Sequence, residues 1–269
     1  MNRKQLVNLI DEKQSFLCVG LDTDPVKLPE HLSKDAMGLL KFNKAIIDAT
    51  LPYAVSFKLN IAFYEALGVE GWQALKETID YIPRDKAFII ADAKRGDIGN
   101  TAAQYAKAFF KDLNCHAITI NPYMGKDSVT PFLEYENKWS IVLGLTSNPG
   151  AIDVELQELK NGRMVFEETM DRMSQYGTDQ NMMFVVGATK AEYFERLRSV
   201  SPNHFYLVPG VGAQGGKLED LKPLMTHDCG LLVNSSRGII YASSDTDFAS
   251  AAGEKARDLQ QQMATMLNN

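Results

Sequence analysis

Eight short apolar runs recur along the chain, and a helix-like stretch follows each of them. The runs are almost continuously apolar rather than alternating between apolar and polar residues, which is typical of parallel strands buried on both faces. We therefore expect strands at residues 16–21, 54–59, 87–91, 117–121, 140–145, 182–187, 205–208 and 230–233.

Apolar residues at helical spacing lie between the runs, and each set would form one buried helix face. The expected faces are Leu39, Phe42, Ile46 and Ala49, then Trp72, Leu75, Ile79 and Ile82, then Ala102, Ala106, Phe109 and Leu113, and finally Leu259, Met263 and Met266. The stretch 147–181 is longer than a minimal connection, and we expect it to hold additional helix.

Eight strand–helix repeats without a break in composition predict the α/β class, and within it a closed (β/α)₈, or TIM, barrel. One such barrel usually takes about 250 residues, so residues 1–269 are expected to form a single domain. An open, doubly wound sheet remains the structural alternative, because the order of strands in a sheet cannot be read from these repeats.

Composition and net charge limit the kinds of molecule that this chain is expected to bind. The net charge is −6 and the pI is near 5.3, which argues against a protein that binds nucleic acid or anionic membranes through its general charge. No apolar stretch approaches the length of a membrane span, and the amino terminus lacks the apolar core of a signal peptide. The three cysteines, Cys18, Cys115 and Cys229, have no paired spacing and indicate reduced thiols in a cytoplasmic protein.

Polar groups follow seven of the predicted strands, where the functional groups of a parallel barrel collect. The most informative of them is the charged run from Asp92 to Asp97. Asp92 and Lys94 are two residues apart, so on a strand their side chains point the same way, and Lys58 of the neighbouring strand can join them. A fixed ammonium beside a fixed negative charge suits a reaction that loses an anion from the substrate and then protonates a carbanion.

The rest of the run is expected to act elsewhere. Asp97 lies beyond Gly96, at the turn into the next helix, and is expected to point away from the strand. It would serve a different site from Asp92, or act across a subunit interface. Arg95 is expected to be a solvated charge or an interface residue. The alternative for the charged run is a purely structural role, in which it forms a buried salt-bridge network that only closes the barrel.

A glycine-rich segment follows the seventh strand, with glycines at positions 210, 212, 215 and 216. Glycine allows close approach of the backbone, which suits a lid or a phosphate cradle. Arg237 ends the eighth strand, and the loops after strands seven and eight commonly bind phosphate in such barrels. We therefore expect a phosphate site at the loops after strands seven and eight.

Taken together, the motifs resemble those of the orotidine 5′-phosphate decarboxylase family, whose members make UMP in pyrimidine biosynthesis. The resemblance extends over most of the chain and is closest to the longer bacterial branch. It rests on residues 19–22, 57–58, 92–98, 121–127, 146–150, 209–216 and 236–237.

The resemblance implies a role for each member of the charged cluster. Lys94 would donate a proton to C6 of the pyrimidine after carbon dioxide leaves. Asp92 would lie beside the departing carboxylate and disfavour it in the ground state. Lys58 and Asp22 would hold the ribose hydroxyls and complete the charged array.

The resemblance also implies the binding residues and a homodimer with shared sites, and it implies no metal or organic cofactor. Ser147 would bond the pyrimidine, and Gln214 and Arg237 would hold the phosphate. The remaining implied residues are Asp97, Ile98 and Thr101, contributed by the partner subunit, together with Pro209 and Ser236.

Two other functions remain open. Magnesium-dependent sugar-phosphate decarboxylases or aldolases share D-x-K-x-x-D but carry an acidic ligand at the end of strand two, where Lys58 stands here. A non-catalytic nucleotide-binding barrel would need damage to the charged cluster, which is complete. A histidine metal site is disfavoured because the four histidines lack ligand spacing, and His116 and His204 are expected to be satisfied at the bottom of the barrel.

Overall fold

Eight parallel strands form a closed barrel in the computed structural model, which describes residues 1–211 and 216–268. Each strand pairs with its neighbours in chain order, and β8 returns to pair with β1. The closed order confirms the predicted (β/α)₈ barrel and rules out the open sheet. The strands are β1 Leu17–Gly20, β2 Ser56–Asn60, β3 Phe88–Arg95, β4 Ala117–Ile120, β5 Trp139–Leu145, β6 Met182–Val186, β7 Phe205–Pro209 and β8 Leu231–Ser235.

Helices connect the strands and cover the outside of the barrel. They are α1 Arg3–Lys13, α2 Ala36–Thr50, α3 Ile61–Glu65, α4 Gly68–Tyr81, α5 Gly99–Lys107, α6 Thr130–Leu133, α7 Val165–Ser174, α8 Phe194–Val200, α9 Arg237–Ile240 and α10 Phe248–Leu267. The predicted faces of α2, α4 and α5 are buried largely as expected. Trp72 is the exception, because its side chain is 39% exposed and α4 packs through Leu75 and Ile79 instead.

Helix α1 packs across the amino ends of the strands, at the bottom of the barrel. The guanidinium of Arg3 bonds both carboxylate oxygens of Asp228, at 2.9 and 3.0 Å, and lies 4.9 Å from the centre of the Phe205 ring. A bidentate arginine–carboxylate pair is among the stronger side-chain contacts. This contact fixes α1 to the bottom of the barrel.

The two histidines near the bottom differ from each other. Nδ1 of His116 accepts a hydrogen bond from the backbone N–H of Ile89, as expected for a satisfied side chain. The expectation was wrong for His204, since both of its ring nitrogens are buried without a hydrogen-bond partner in the described part of the chain. The ring packs against Phe184, and burial lowers the pKa of His204 to about 4.

Strand β3 is irregular at its carboxyl end. Ala91 pairs with Ile118, but the next paired residue is Arg95, which lies opposite Ile120. Four steps along β3 thus match two along β4, so residues 92–94 bulge out of the ladder. Lys94 lies in this bulge with a φ of +47°. The prediction that Asp92 and Lys94 share a direction assumed a regular strand, and the contact between them described below arises from the bulge instead.

The predictions for the connection after β5 and for the cysteines are confirmed, whereas the single domain over residues 1–269 stays a prediction. The long connection after β5 contains a 3₁₀ turn at Pro149–Asp153 and helix α7. The three cysteines are buried and free, and burial raises the pKa of the Cys18 thiol to about 12. Among the described residues, no helix is long and apolar enough to span a membrane.

Candidate active site

A cleft of about 280 Å³ opens at the carboxyl ends of the strands. This is the end of a parallel barrel where loops after the strands meet. The lining combines charged, polar and apolar groups, which suits a small polar ligand with a ring. The lining residues are Asp22, Lys58, Asn60, Asp92, Lys94, Thr119, Leu143, Thr146, Ser147, Asn148, Val185, Leu207, Pro209, Gly210, Val211, Asn234, Ser236 and Arg237.

Lys58 lies at the centre of an alternating row of charges. Its Nζ is 3.3 Å from Oδ1 of Asp22 and 3.0 Å from Oδ2 of Asp92, and its side chain is only 5% exposed. Burial disfavours the ammonium, but the attraction of the two carboxylates outweighs it and the pKa of Lys58 is raised. Lys58 is therefore a fixed positive charge and not a base.

Asp92 joins Lys58 to Lys94. Its Oδ2 faces Lys58, and its Oδ1 lies 2.6 Å from Nζ of Lys94. Burial opposes ionisation of Asp92, but the two ammonium groups prevail and hold its pKa well below the usual range. The row from Asp22 to Lys94 thus alternates in charge without interruption, and Lys94, 52% exposed, is its end facing the cleft.

Arg95 leaves this row, and the structure corrects the prediction for it. Its guanidinium pairs with Glu65 and lies over the rings of Tyr105 and Phe109, at 5.4 and 5.6 Å from their centres. Its side chain is only 19% exposed. Arg95 therefore anchors the end of β3 against α3 and α5, and it is not a solvated charge.

The other part of the cleft is formed by the ends of β7 and β8. Gly210 has a φ of +100°, which favours glycine, and the backbone N–H of Gly216 bonds its carbonyl at 3.2 Å. Pro209 and Ser236 line the cleft beside them, and Ser236 accepts a hydrogen bond from Asn234. Gln214, predicted to hold a phosphate, lies outside the described residues.

Arg237 also lines this part of the cleft. It is exposed, and among the described residues no carboxylate lies within salt-bridge distance of it. An arginine fork that no protein carboxylate neutralises is suited to an anionic ligand.

The segment after β5 is held by a residue that the sequence did not single out. Glu155 accepts hydrogen bonds from the backbone N–H of Thr146 at 2.7 Å and from its hydroxyl at 2.8 Å. These bonds fix the start of the turn that presents Ser147 and Asn148 to the cleft. Glu155 lies nine residues beyond Thr146 in a loop, and no spacing rule pointed to it.

Three predicted site residues do not line the cleft: Asp97, Ile98 and Thr101. Oδ1 of Asp97 accepts a hydrogen bond from the backbone N–H of Ile98, and the Ile98 side chain is 50% exposed. Within one chain, these residues therefore lie apart from the charged row. Their position outside the cleft agrees with the expectation that Asp97 points away from the strand.

The described residues offer no cluster of three or more histidine, cysteine, aspartate or glutamate side chains that could hold a metal ion. At the end of β2, where an acidic ligand would be needed, the Lys58 ammonium lies between the two nearest carboxylates. An ammonium in that position repels a divalent cation. The arrangement supports acid–base and electrostatic chemistry.

Comparison with known proteins agrees with this geometry. The model of the orotidine 5′-phosphate decarboxylase / HUMPS family matches residues 15–252. The chain belongs to this family. A protein of Phocaeicola vulgatus named orotidine 5′-phosphate decarboxylase is 54% identical over 270 residues, covering 99% of each chain. One of the same name from Christiangramia forsetii is 55% identical over 271 residues, again covering 99% of each.

Solved structures show the same fold in the orotidine 5′-phosphate decarboxylase / HUMPS family. The structure of Leishmania donovani OMP decarboxylase aligns with a TM-score of 0.82 and 35% identity, covering 98% of this chain and 99% of that one. The likeness therefore extends to the whole barrel and is not limited to the motifs around the cleft.

Sequence reasoning within this family found most of the cleft but missed Thr119. Thr119 lies inside β4, in a run that was treated as almost continuously apolar. No signal in the sequence pointed to it, because a threonine inside a buried strand is an ordinary core residue. The apolar lining by Leu143, Val185 and Leu207 was also missed, since these residues look like ordinary core.

Proposed function

We propose that this chain is a carboxy-lyase that converts orotidine 5′-monophosphate to UMP and carbon dioxide, in de novo pyrimidine biosynthesis. The observation that carries the proposal is the uninterrupted row Asp22–Lys58–Asp92–Lys94 at the cleft. Membership of the family and the names of the relatives support the substrate. A single barrel, made by residues 1–269, carries the activity.

The reaction leaves a carbanion that must receive a proton. The bond between C6 of the pyrimidine and its carboxylate breaks, and the electron pair stays on C6 as carbon dioxide departs. The ammonium of Lys94 stabilises this charge and donates its proton to C6. Lys94 then recovers a proton from water, which its partial exposure permits.

Asp92 contributes to both stages. Because its pKa is held low, it is ionised when the substrate carboxylate arrives, and the two negative charges repel each other. Loss of carbon dioxide relieves that repulsion. The same carboxylate orients the Lys94 ammonium through a 2.6 Å contact, so Asp92 supports proton donation as well. Lys58 and Asp22 hold the ribose hydroxyls and balance the charge of the row.

Remote groups provide binding energy. Arg237 and Gln214 hold the phosphate, and Pro209 and Ser236 complete this side of the site. Ser147 bonds the pyrimidine ring, in a turn that Glu155 supports. Binding energy from the phosphate can thereby be used to organise the distant charged row.

The working enzyme is a homodimer in which each site is completed by Asp97, Ile98 and Thr101 of the partner subunit. Two observations support this assignment. These residues lie outside their own cleft, and exposed apolar side chains occur on the loops after β3 and β4, namely Ile98, Tyr123 and Met124. A cytoplasmic location agrees with the three free, buried cysteines.

The reaction needs no metal or organic cofactor, because Lys94 and Asp92 supply the proton and the charges. The direct test follows the loss of pyrimidine absorbance when the purified chain meets orotidine 5′-monophosphate in the presence of a chelator. We expect full turnover with UMP as the product. Turnover that requires added Mg²⁺ would favour the sugar-phosphate branch, and UMP binding without turnover would favour a non-catalytic barrel; either result would overturn the proposal.

A further inference from the structure

We infer that Thr119 is a positioning residue for the proton donor Lys94, an inference that rests on the function proposed above. Its hydroxyl oxygen accepts a hydrogen bond from the backbone N–H of Lys94 at 2.9 Å. The same hydroxyl donates to Oδ1 of Asp92 at 3.0 Å. Thr119 therefore connects the backbone of one charged residue to the carboxylate of the other.

The first of these bonds has a specific cause. Lys94 lies in the bulge of β3, where pairing with β4 is interrupted between Ala91 and Arg95. Its φ of +47° is a left-handed conformation that residues with a Cβ rarely adopt. An extended strand would direct this N–H into the ladder, whereas here it points to the side chain of Thr119 on the neighbouring strand.

The second bond fixes the carboxylate. Oδ1 of Asp92 receives both the Thr119 hydroxyl and Nζ of Lys94, while Oδ2 receives Lys58. Both Asp92 oxygens therefore have fixed donors. A hydroxyl has one proton, and in Thr119 that proton is used on Asp92, so the group acts through its neighbours and does not react itself.

Burial makes the contact difficult to replace. Thr119 is 1% exposed, and Ile118 and Ile120 on either side of it are fully buried. The Asp92 side chain is itself only 10% exposed, so a water molecule does not easily take the place of the hydroxyl at its oxygen. Without the hydroxyl, the left-handed backbone at Lys94 is free to relax, and the direction of the ammonium changes with it.

Thr119→Val is the sharpest test, because it keeps the shape and removes only the hydroxyl. We expect kcat to fall by about 10- to 100-fold, the effect of roughly 1 Å of misplacement. KM and the affinity for UMP should change by less than about threefold, since Thr119 does not hold the ligand. Thr119→Ser, which restores the hydroxyl, should recover kcat to within about threefold of wild type.

A second readout isolates the proton donor. Exchange of the C6 hydrogen of UMP in D₂O uses Lys94 but requires no carboxylate to leave. Thr119→Val should slow this exchange in parallel with decarboxylation. Thr50→Val is the matched control, because it removes a buried threonine hydroxyl whose one hydrogen-bond partner in the described part of the chain is the Ile46 carbonyl within α2. It should lower thermal stability by a similar amount and leave both rates unchanged.

The results of these experiments distinguish the proposed function from the positioning role of Thr119. Failure of the wild-type chain to turn over orotidine 5′-monophosphate would reject the proposed function. Wild-type turnover together with Thr119→Val activity within twofold of it would reject only the positioning role. If Thr119→Val does not fold, Thr119→Cys keeps a weaker donor of similar size and should show reduced kcat at unchanged KM. A folded Thr119→Cys with wild-type kcat would also overturn the inference.

Discussion

The ammonium of Lys58 lies 3.0 Å from Oδ2 of Asp92, and the lysine side chain is almost completely buried. A buried pair of this kind is a poor source of stability, because the loss of hydration offsets most of the attraction. Removing one partner, however, leaves the other charge buried and uncompensated. The pair is therefore best explained by a role in the reaction. Its contribution to stability can be measured.

Lys58→Met should reduce the free energy of unfolding by about 3 kcal/mol, because Asp92 and Asp22 lose their central cation. The double variant with Asp92→Asn should be destabilised by at least about 1 kcal/mol less than the sum of the two single variants. Urea denaturation measures both quantities. Lys76→Met, which removes an exposed pair with Asp80, is the control and should cost less than about 0.5 kcal/mol. Additive effects of the two site substitutions would contradict the coupling.

Arg237→Ala should weaken catalysis mainly because the phosphate of the substrate is bound less tightly. Charge-assisted hydrogen bonds contribute about 1.5–3 kcal/mol each, so KM for orotidine 5′-monophosphate should rise by roughly 100-fold. A truncated substrate without its phosphate gives the more specific measurement. Added phosphite should activate the wild type on this substrate but not the variant.

The control for this experiment is Arg257→Ala, which removes an exposed arginine from α10. It should retain both the KM and the response to phosphite. An equal response to phosphite in wild type and Arg237→Ala would show that Arg237 does not hold the phosphate.

Sharing of sites across a dimer can be tested by mixing two inactive variants. Lys94→Ala and Asp97→Ala should each lose most activity alone. In a hybrid dimer, one of the two sites has both an intact Lys94 and an intact partner residue. Random reassociation should therefore restore about one quarter of the wild-type activity.

The mixed sample needs a matched comparison. A mixture of Lys94→Ala with Asp92→Ala, two residues of the same chain's site, should recover no activity. Sedimentation equilibrium should give twice the chain mass for wild type. A monomeric wild-type enzyme, or no recovery with Asp97→Ala, would remove Asp97 from the partner's site.

The buried histidines predict a specific dependence of stability on pH. Burial lowers the pKa of His204 to about 4 and that of His116 to about 3, from an ordinary value of 6.5. The unfolded chain therefore binds these protons first as the pH falls. Above pH 6.5 neither state binds them, and stability is lost progressively as the pH falls from 6.5 to 4 for His204 and from 6.5 to 3 for His116.

At pH 5, the lowered pKa of His204 alone should reduce the free energy of unfolding by about 1–2 kcal/mol relative to pH 7. His204→Phe keeps a ring against Phe184 but cannot bind a proton, so it should flatten this part of the profile. His227→Gln replaces an exposed histidine and should leave the profile unchanged. Urea denaturation at pH 7 and pH 5 measures the free energy of unfolding of each protein. If His204→Phe loses as much stability between the two pH values as wild type does, His204 is not the cause of the loss.

Most of the barrel could be predicted from the sequence, because strands buried on both faces need continuous apolar runs. All eight runs correspond to strands, with ends shifted by a few residues. The chief failure was the end of β3, where a regular strand was assumed for Asp92 and Lys94 but the pairing with β4 is interrupted between Ala91 and Arg95. Its last residues are polar and bulged, and neither property can be recognised from a hydrophobic pattern.

The site was predictable where charge interrupts a strand end, as at Lys58 and Asp92. It was not predictable where a polar group acts from inside an apolar run or from a distant loop. Thr119 and Glu155 are these cases. The pairing of β3 with β4 brings Thr119 to the cleft, and the path of the loop after β5 brings Glu155 to the turn that supports Ser147. The roles of Asp97, Ile98 and Thr101 remain predictions.

The charged run at the end of β3 carries the proposed chemistry, and Lys94→Ala tests this role most directly. The variant should lose at least about 10³-fold in kcat for orotidine 5′-monophosphate, because it lacks the ammonium assigned to protonate C6. It should still bind UMP, measured by calorimetry. Lys255→Ala, exposed on α10, should behave as wild type in both assays. Retention of near-normal turnover by Lys94→Ala would contradict the assigned mechanism.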